Sequence, residues 1–173
     1  VNDPLFRNVT TNNWSGQAEA LTYQRAIRAL ELYGYDWIVP LLGRKLFQAI
    51  GEKCQFVQQY DPFTMKPSTV SLEGEQDAYG PAMLSVMEYI ARMYGVHIER
   101  EQIYWGALSG TECVYEQEWG DNLYRIENDG KSAIGYVNGK QMFKAPKDVK
   151  LITDITGKVL KAVPLRGILP YSK

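Results

Sequence analysis

Apolar positions along the first hundred residues recur with a helical period. In "SGQAEALTYQRAIRALELYG", from Ser15 to Gly34, the apolar residues Ala20, Tyr23, Ile27, Leu30 and Tyr33 fall on one face. That spacing predicts an amphipathic helix, with Ser15 as its cap and Gly34 as its stop. A second helix is expected from Asp36 to Ile50, with Ile38, Leu41, Leu42, Leu46 and Ile50 on its apolar side. Pro40 falls near its first turn, where a proline is best tolerated. "GPAMLSVMEYIARMYGV" starts a third at Pro81 and stops it at Gly95, and a fourth is expected over "EREQIYWGAL", from Glu99 to Leu108. Short linkers predict that these pack as two antiparallel helical hairpins.

Beyond residue 110 the period shortens. "ECVYEQEW", "NLYRIEN", "SAIGYVN", "QMFKAP", "VKLITD" and "KVLKAVPL" are brief β-rich stretches. Between them lie Gly120-Asp121, Asp129-Gly130, Asn138-Gly139 and Thr156-Gly157. Asn-Gly and Asp-Gly between such stretches are hairpin signals. The reading is α+β, with a helical domain over 1–110 and an antiparallel β-domain of about six strands over 111–173. Two hairpins alone leave an apolar face uncovered, which predicts further protein against it.

Composition narrows the function classes. The chain has 173 residues, 45% of them hydrophobic and 12% aromatic, enough for a packed core. Its formal net charge of −1 and lack of a Lys/Arg run argue against a nucleic-acid partner. No apolar run reaches the roughly 18 residues that a membrane span needs. "VNDPLFRNVTTNNW" has neither a basic n-region nor an apolar h-region, so it is not a signal peptide, and the expectation is a chain that once had a leader or continues a longer polypeptide. Cys54 and Cys113 lack ligand spacing and are expected to be buried free thiols.

Phosphate-loop, dinucleotide, zinc-protease and calcium-loop motifs are absent. The single histidine, His97, follows a helix end and reads as structural or simply exposed. The remaining chemistry is carboxylates beside aromatics. The long segment between the second and third helices carries Asp61, Glu73, Glu75 and Asp77 near Tyr60, Phe63 and Tyr79. "NNWSGQAE" adds Trp14, Gln17 and Glu19 at a helix start. Sugars are held by aromatic faces rimmed with carboxylates and amides, and glycoside hydrolysis uses a pair of carboxyl groups. The plainer reading is that the acids are solvated and the aromatics cover helix ends. Trp119, Tyr115 and Tyr124 read as core between helices and sheet, or as an aromatic carbohydrate-binding face.

"NNWSGQAEALTYQRAIRALELYGY", "QQYDPFTMKP" and "DAYGPAMLSVMEYIARMYGV" resemble the C-terminal end of an (α/α)6-barrel glycoside hydrolase. The processing α-glucosidases and mannosylglycerate-hydrolase-like enzymes are the most similar groups. The resemblance runs over residues 8 to 96 and includes a W-x-G segment at Trp14 and Gly16. It implies helical hairpins from an (α/α)6 toroid, an extracytoplasmic enzyme, and an inverting mechanism on oligosaccharide or polysaccharide. The general acid would lie in the remainder of its own polypeptide, or in a partner chain. No cofactor and no metal is implied. The family's loop carboxylate falls on Gln58, with Tyr60, Pro62 and Thr64 matching and Met65 replacing a glycine. An amide cannot take a proton from water, so Glu75 and Asp77 become the candidate catalytic acids. Trp14, Gln17, Glu19, Gln58, Tyr60, Asp61 and Tyr79 are the candidate substrate contacts. The alternative is a non-catalytic carbohydrate-binding or scaffold domain.

Overall fold

The computed structural model describes residues 18–51, 54–61, 63–64, 66–68 and 78–167. Within them two compact units separate, one drawn from Val1–Tyr33 and Leu41–Met87, the other from Gly34–Pro40 and Glu88–Lys173.

In the first unit, β1 (Ala18–Glu19) runs directly into α1 (Ala20–Leu32), and β1 pairs with β2 (Gln59–Tyr60); the helix therefore starts later than a Ser15 cap predicts, with Glu19 at the cap position. Gly34 has φ +78 just past the end of α1, the left-handed conformation that closes many helices. Most of α2 (Ile38–Gly51) and the first half of α3 (Gly80–Tyr94) supply the unit's remaining helical residues, while residues 38–40 and 88–94 belong to the second unit. Ala20 and Ala82 are fully buried. The Ser85 hydroxyl lies 2.8 Å from the carbonyls of Ala20 and of Pro81, and can donate to either. Small side chains and a hydroxyl that bonds backbone let the start of α1 meet α3 closely.

The second unit is built from two four-stranded antiparallel sheets. One has the order β10 (Val159–Pro164), β9 (Val149–Asp154), β4 (Gln102–Ala107), β3 (Val96–Glu99). The other runs β5 (Cys113–Trp119), β6 (Asn122–Asn128), β7 (Ser132–Val137), β8 (Lys140–Pro146). Alternation along each strand sends one set of side chains inward. Val96, Ile103, Trp105, Ala107 and Leu151 from the first sheet share one core with Tyr124, Ile126, Ala133, Val137, Phe143 and Ala145 from the second. The result is sandwich-like.

This corrects the toroid expectation. Three helices are present among the described residues, and they do not form a helical ring. The fourth expected helix, Glu99 to Leu108, is instead the β3–β4 hairpin, turning at Arg100 with φ +58. Ile103, Trp105 and Ala107 are buried at alternate positions, a two-residue period that a short window leaves ambiguous. β4 is also paired on both sides, with β3 and β9, so non-local ladders outweigh local helix propensity. A side chain at Gly106 would strike the backbone of Arg92 and Met93; its absence lets β4 approach the end of α3.

Turn chemistry fixes the hairpins. Asn138 and Gly139 both have positive φ, as a type I′ turn requires. Gly120, with φ +58, leads the two-residue β5–β6 turn. Between β6 and β7, one oxygen of Asp129 accepts the N–H groups of Lys131 at 2.9 Å and Ser132 at 2.6 Å. The other accepts the Ser132 hydroxyl at 3.0 Å. The Ser132 N–H, then the Lys131 N–H and the Ser132 hydroxyl, hold the Asp129 pKa down from 3.8 to about 2. A carboxylate with a depressed folded pKa stabilises the fold above its unfolded pKa, and that contribution is lost as pH falls through the folded value. Asp129→Ala is therefore expected to lower the melting temperature at neutral pH. It should also flatten the fall in melting temperature as pH drops from about 4 to about 2. Melts by circular dichroism across that range test this; parallel pH profiles for the two proteins would count against it.

Candidate functional site

The two-rung β1–β2 ladder gathers several of the sequence-selected residues. Glu19 faces Gln59 and Ala18 faces Tyr60, while the Ala20 N–H donates to the Gln58 carbonyl at 3.1 Å. The start of α1 is thereby joined to the segment that carries Gln58, Tyr60 and Asp61. Glu19 and Gln58 are half-exposed, and one Glu19 carboxylate oxygen accepts the Thr22 hydroxyl at 2.9 Å.

Tyr60 and Asp61 are turned inward. The Tyr60 ring is buried; its hydroxyl accepts the Val57 N–H and donates to the Gln55 carbonyl, both at 3.2 Å. Asp61 accepts the N–H groups of Phe63 at 2.8 Å and Thr64 at 3.1 Å through one oxygen. This is the local turn that aspartate side chains favour. Its own N–H donates to the Lys66 carbonyl at 2.8 Å, and Ser68 N–H donates to the Gln59 carbonyl at 3.0 Å. Both side chains thus brace a compact loop. Phe63, beside them, is exposed.

Tyr79 is half-buried at the start of α3, donating its N–H to the Phe56 carbonyl at 2.7 Å. Trp14, Gln17, Glu75 and Asp77 lie outside the described residues, as do Glu73, Gly16, Pro62 and Met65. Of the expected contacts, then, the ladder brings Glu19, Gln58, Tyr60 and Asp61 together. Within the cluster Glu19 and Gln58 keep their polar side chains half-exposed, while Glu19 stands opposite Gln59 rather than Gln58.

In the sheet unit, His97 lies 4.0 Å from Glu88 and 3.9 Å from Glu99, with its ring 5.9 Å from that of Tyr104. Among the described residues no three His, Cys, Asp or Glu side chains converge to hold a metal ion. Both cysteines are free, but Cys54 is exposed rather than buried, and Cys113 is half-buried. Tyr124 is core, donating its hydroxyl to the Ile155 carbonyl at 3.2 Å. Tyr115 is half-buried against that core, whereas Trp119 is exposed at the end of β5. The three therefore do not form an exposed aromatic row. No helix among the described residues is long and apolar enough to cross a membrane.

Two features stand out on the surface. Along α3, Met83, Leu84, Met87 and Ile90 are 44%, 54%, 64% and 37% exposed. The sequence marks this face as apolar; only the structure shows it uncovered by described residues. The other feature is the free side of β5, which sequence reading missed because a hairpin signal does not reveal whether its strand ends up at a sheet edge.

These features define a small two-unit chain, one unit helical and the other a two-sheet antiparallel sandwich. Set against known family models, curated proteins and solved structures, the chain finds no match. Among the described residues there is no α/α toroid, which corrects the six-hairpin glycosidase expectation, and nothing identifies the chain as part of a glycoside hydrolase.

Proposed function

We propose that this chain is a non-catalytic scaffold domain that works joined to further protein across the apolar face of α3. The observation that carries this reading is the stripe of Met83, Leu84, Met87 and Ile90, spaced i, i+1, i+4 and i+7 and uncovered by described residues. That spacing makes one continuous helix face. Contiguous exposed apolar surface rimmed by polar groups marks an interaction surface more often than chance exposure. The stripe carries no charge, so the partner it fits presents an apolar helical face, either from the remainder of the same polypeptide or from a second chain.

The isolated chain is expected to bind a hydrophobic dye and to self-associate at high concentration. Leu84→Lys with Met87→Glu should reduce both, while costing no more than about 0.5 kcal/mol because the replaced side chains lie in solvent. Light scattering and dye fluorescence decide the matter. A dye-silent, monodisperse wild-type monomer would sink the reading. So would a large loss of stability in the variant, since that would place the stripe in the chain's own core.

Oligosaccharide binding is the second reading, favoured by the two half-exposed polar side chains, Glu19 and Gln58, on segments that the β1–β2 ladder joins. Titration with gluco- and manno-oligosaccharides, followed by amide shifts, should then perturb residues around 19 and 58. Glu19→Gln should weaken the effect several-fold. An unperturbed ladder at saturating sugar would leave the scaffold reading alone.

A further inference from the structure

The two sheets of the sandwich unit have four edge strands, and three are defended. β3 is only four residues long. β8 bulges opposite Gly135/Tyr136, carries Lys140 and Lys144, and ends at Pro146. β10 bulges between Val159 and Lys161 and ends at Pro164. Short length, bulges, prolines and charged side chains, lysine above all, are the devices that keep sheet edges from pairing indiscriminately with other chains. β5, whose outer side no described strand pairs with, has no bulge, proline or lysine; its only edge charges are Glu116 and Glu118, which repel acidic strands but not basic ones. Its seven residues pair with β6 in unbroken register from Cys113↔Asn128 to Trp119↔Asn122, and its sequence, CVYEQEW, contains no Pro, Gly or Lys.

The register shows which groups are free. A two-residue turn makes Trp119 and Asn122 the closing hydrogen-bonded pair, and bonded pairs then alternate along the ladder. The backbone groups of Val114, Glu116 and Glu118 therefore point away from β6. Consistent with this, the Glu118 carbonyl accepts the Gln117 side-chain amide at 2.9 Å, a local substitute for a strand partner. The side chains of Val114, Glu116 and Glu118 are all exposed. Glu116 makes a 3.0 Å ion pair with Arg125, whereas Glu118 has no ion-pair partner among the described residues.

We propose that the free side of β5 accepts an extended basic segment of a partner protein as an added strand. Main-chain bonds to Val114, Glu116 and Glu118 would hold it, and directly opposed side chains would select it. Carboxylates at Glu116 and Glu118 reject an acidic strand and favour Lys or Arg opposite each, with an apolar residue opposite Val114. An antiparallel partner therefore reads basic-x-basic-x-apolar. This surface is separate from α3 and does not depend on the scaffold reading.

The test uses the whole chain and a labelled peptide in which Lys alternates with Thr and the last position is Val. Its control replaces each Lys with Glu. Fluorescence anisotropy should show binding of the Lys peptide alone, and amide shifts should centre on residues 114 to 118. Glu116→Lys with Glu118→Lys should weaken the Lys peptide by about tenfold and let the Glu peptide bind. Glu118→Pro deletes an outward N–H without touching the β5–β6 ladder. It should abolish binding while circular dichroism shows an unchanged fold. Should that variant misfold, the charge-reversal pair still decides. Equal binding of the two peptides, no binding of either, or shifts at another edge would each overturn the proposal.

Discussion

Trp105→Ala is expected to cost about 3–5 kcal/mol and to leave the sandwich unit barely folded at room temperature. Trp105 is fully buried in the shared core. Its ring meets Phe143 edge-on, with centroids 5.1 Å apart, and Tyr124 at 6.0 Å. Its indole N–H donates to the Thr153 hydroxyl at 2.9 Å, so one residue on β4 ties the opposite sheet to the neighbouring strand. Small domains have only about 5–15 kcal/mol in hand, so a cavity of this size removes a large share. Trp105→Phe keeps most of the volume and should lose far less, about 1 kcal/mol of it for the missing hydrogen bond. Urea unfolding followed by circular dichroism separates the two. If the alanine variant loses under about 1 kcal/mol, the two sheets do not share a cooperative core.

The second large effect is expected at Asp36 and Lys150. Lys150 on β9 donates to an Asp36 carboxylate oxygen, and both side chains are almost wholly buried. The Lys150 ammonium also lies 5.3 Å from the centre of the Tyr104 ring. Alongside the pair, Trp37 packs so closely on Gly167 that any side chain there would collide with it. Together these contacts clasp the segment Gly34–Pro40 to the first sheet. Asp36→Ala strands a buried ammonium and should cost about 3–5 kcal/mol. Replacing both partners by apolar residues, Asp36→Leu with Lys150→Met, should restore most of that, since the desolvation of two charges offsets much of their attraction. A double variant no more stable than Asp36→Ala would show that the pair contributes more than its desolvation costs.

Much of the local structure can be read from the chain alone. The stripe of Ala20, Ile27 and Leu30 specifies α1, and Gly34 ends it because only glycine adopts φ +78 there without strain. Asn138-Gly139, Gly120-Asp121 and Asp129-Gly130 mark tight turns through the φ values and side-chain bonds that they alone provide. The stretch from Glu99 to Leu108 misleads because its hydrophobics fit either period over ten residues. The ladders to β3 and β9 that settle the matter join residues far apart in sequence. The loop chemistry misleads in another way. Composition cannot distinguish an aspartate facing a ligand from one bonded to its own backbone, and Asp61 does the latter.

The turns, the stops of α1 and α3 at Gly34 and Gly95 and the apolar face of α3 are legible in the chain alone, because each depends on one residue or on neighbours within a few positions. Long-range pairing settles that Glu99 to Leu108 is a hairpin, that α1 begins only at Ala20, that Tyr60 and Asp61 face inward, that Asp36 meets Lys150, and that β5 is an edge among the described strands. Those outcomes depend on which distant segments pair, and pairing energy is shared between partners that no local window contains.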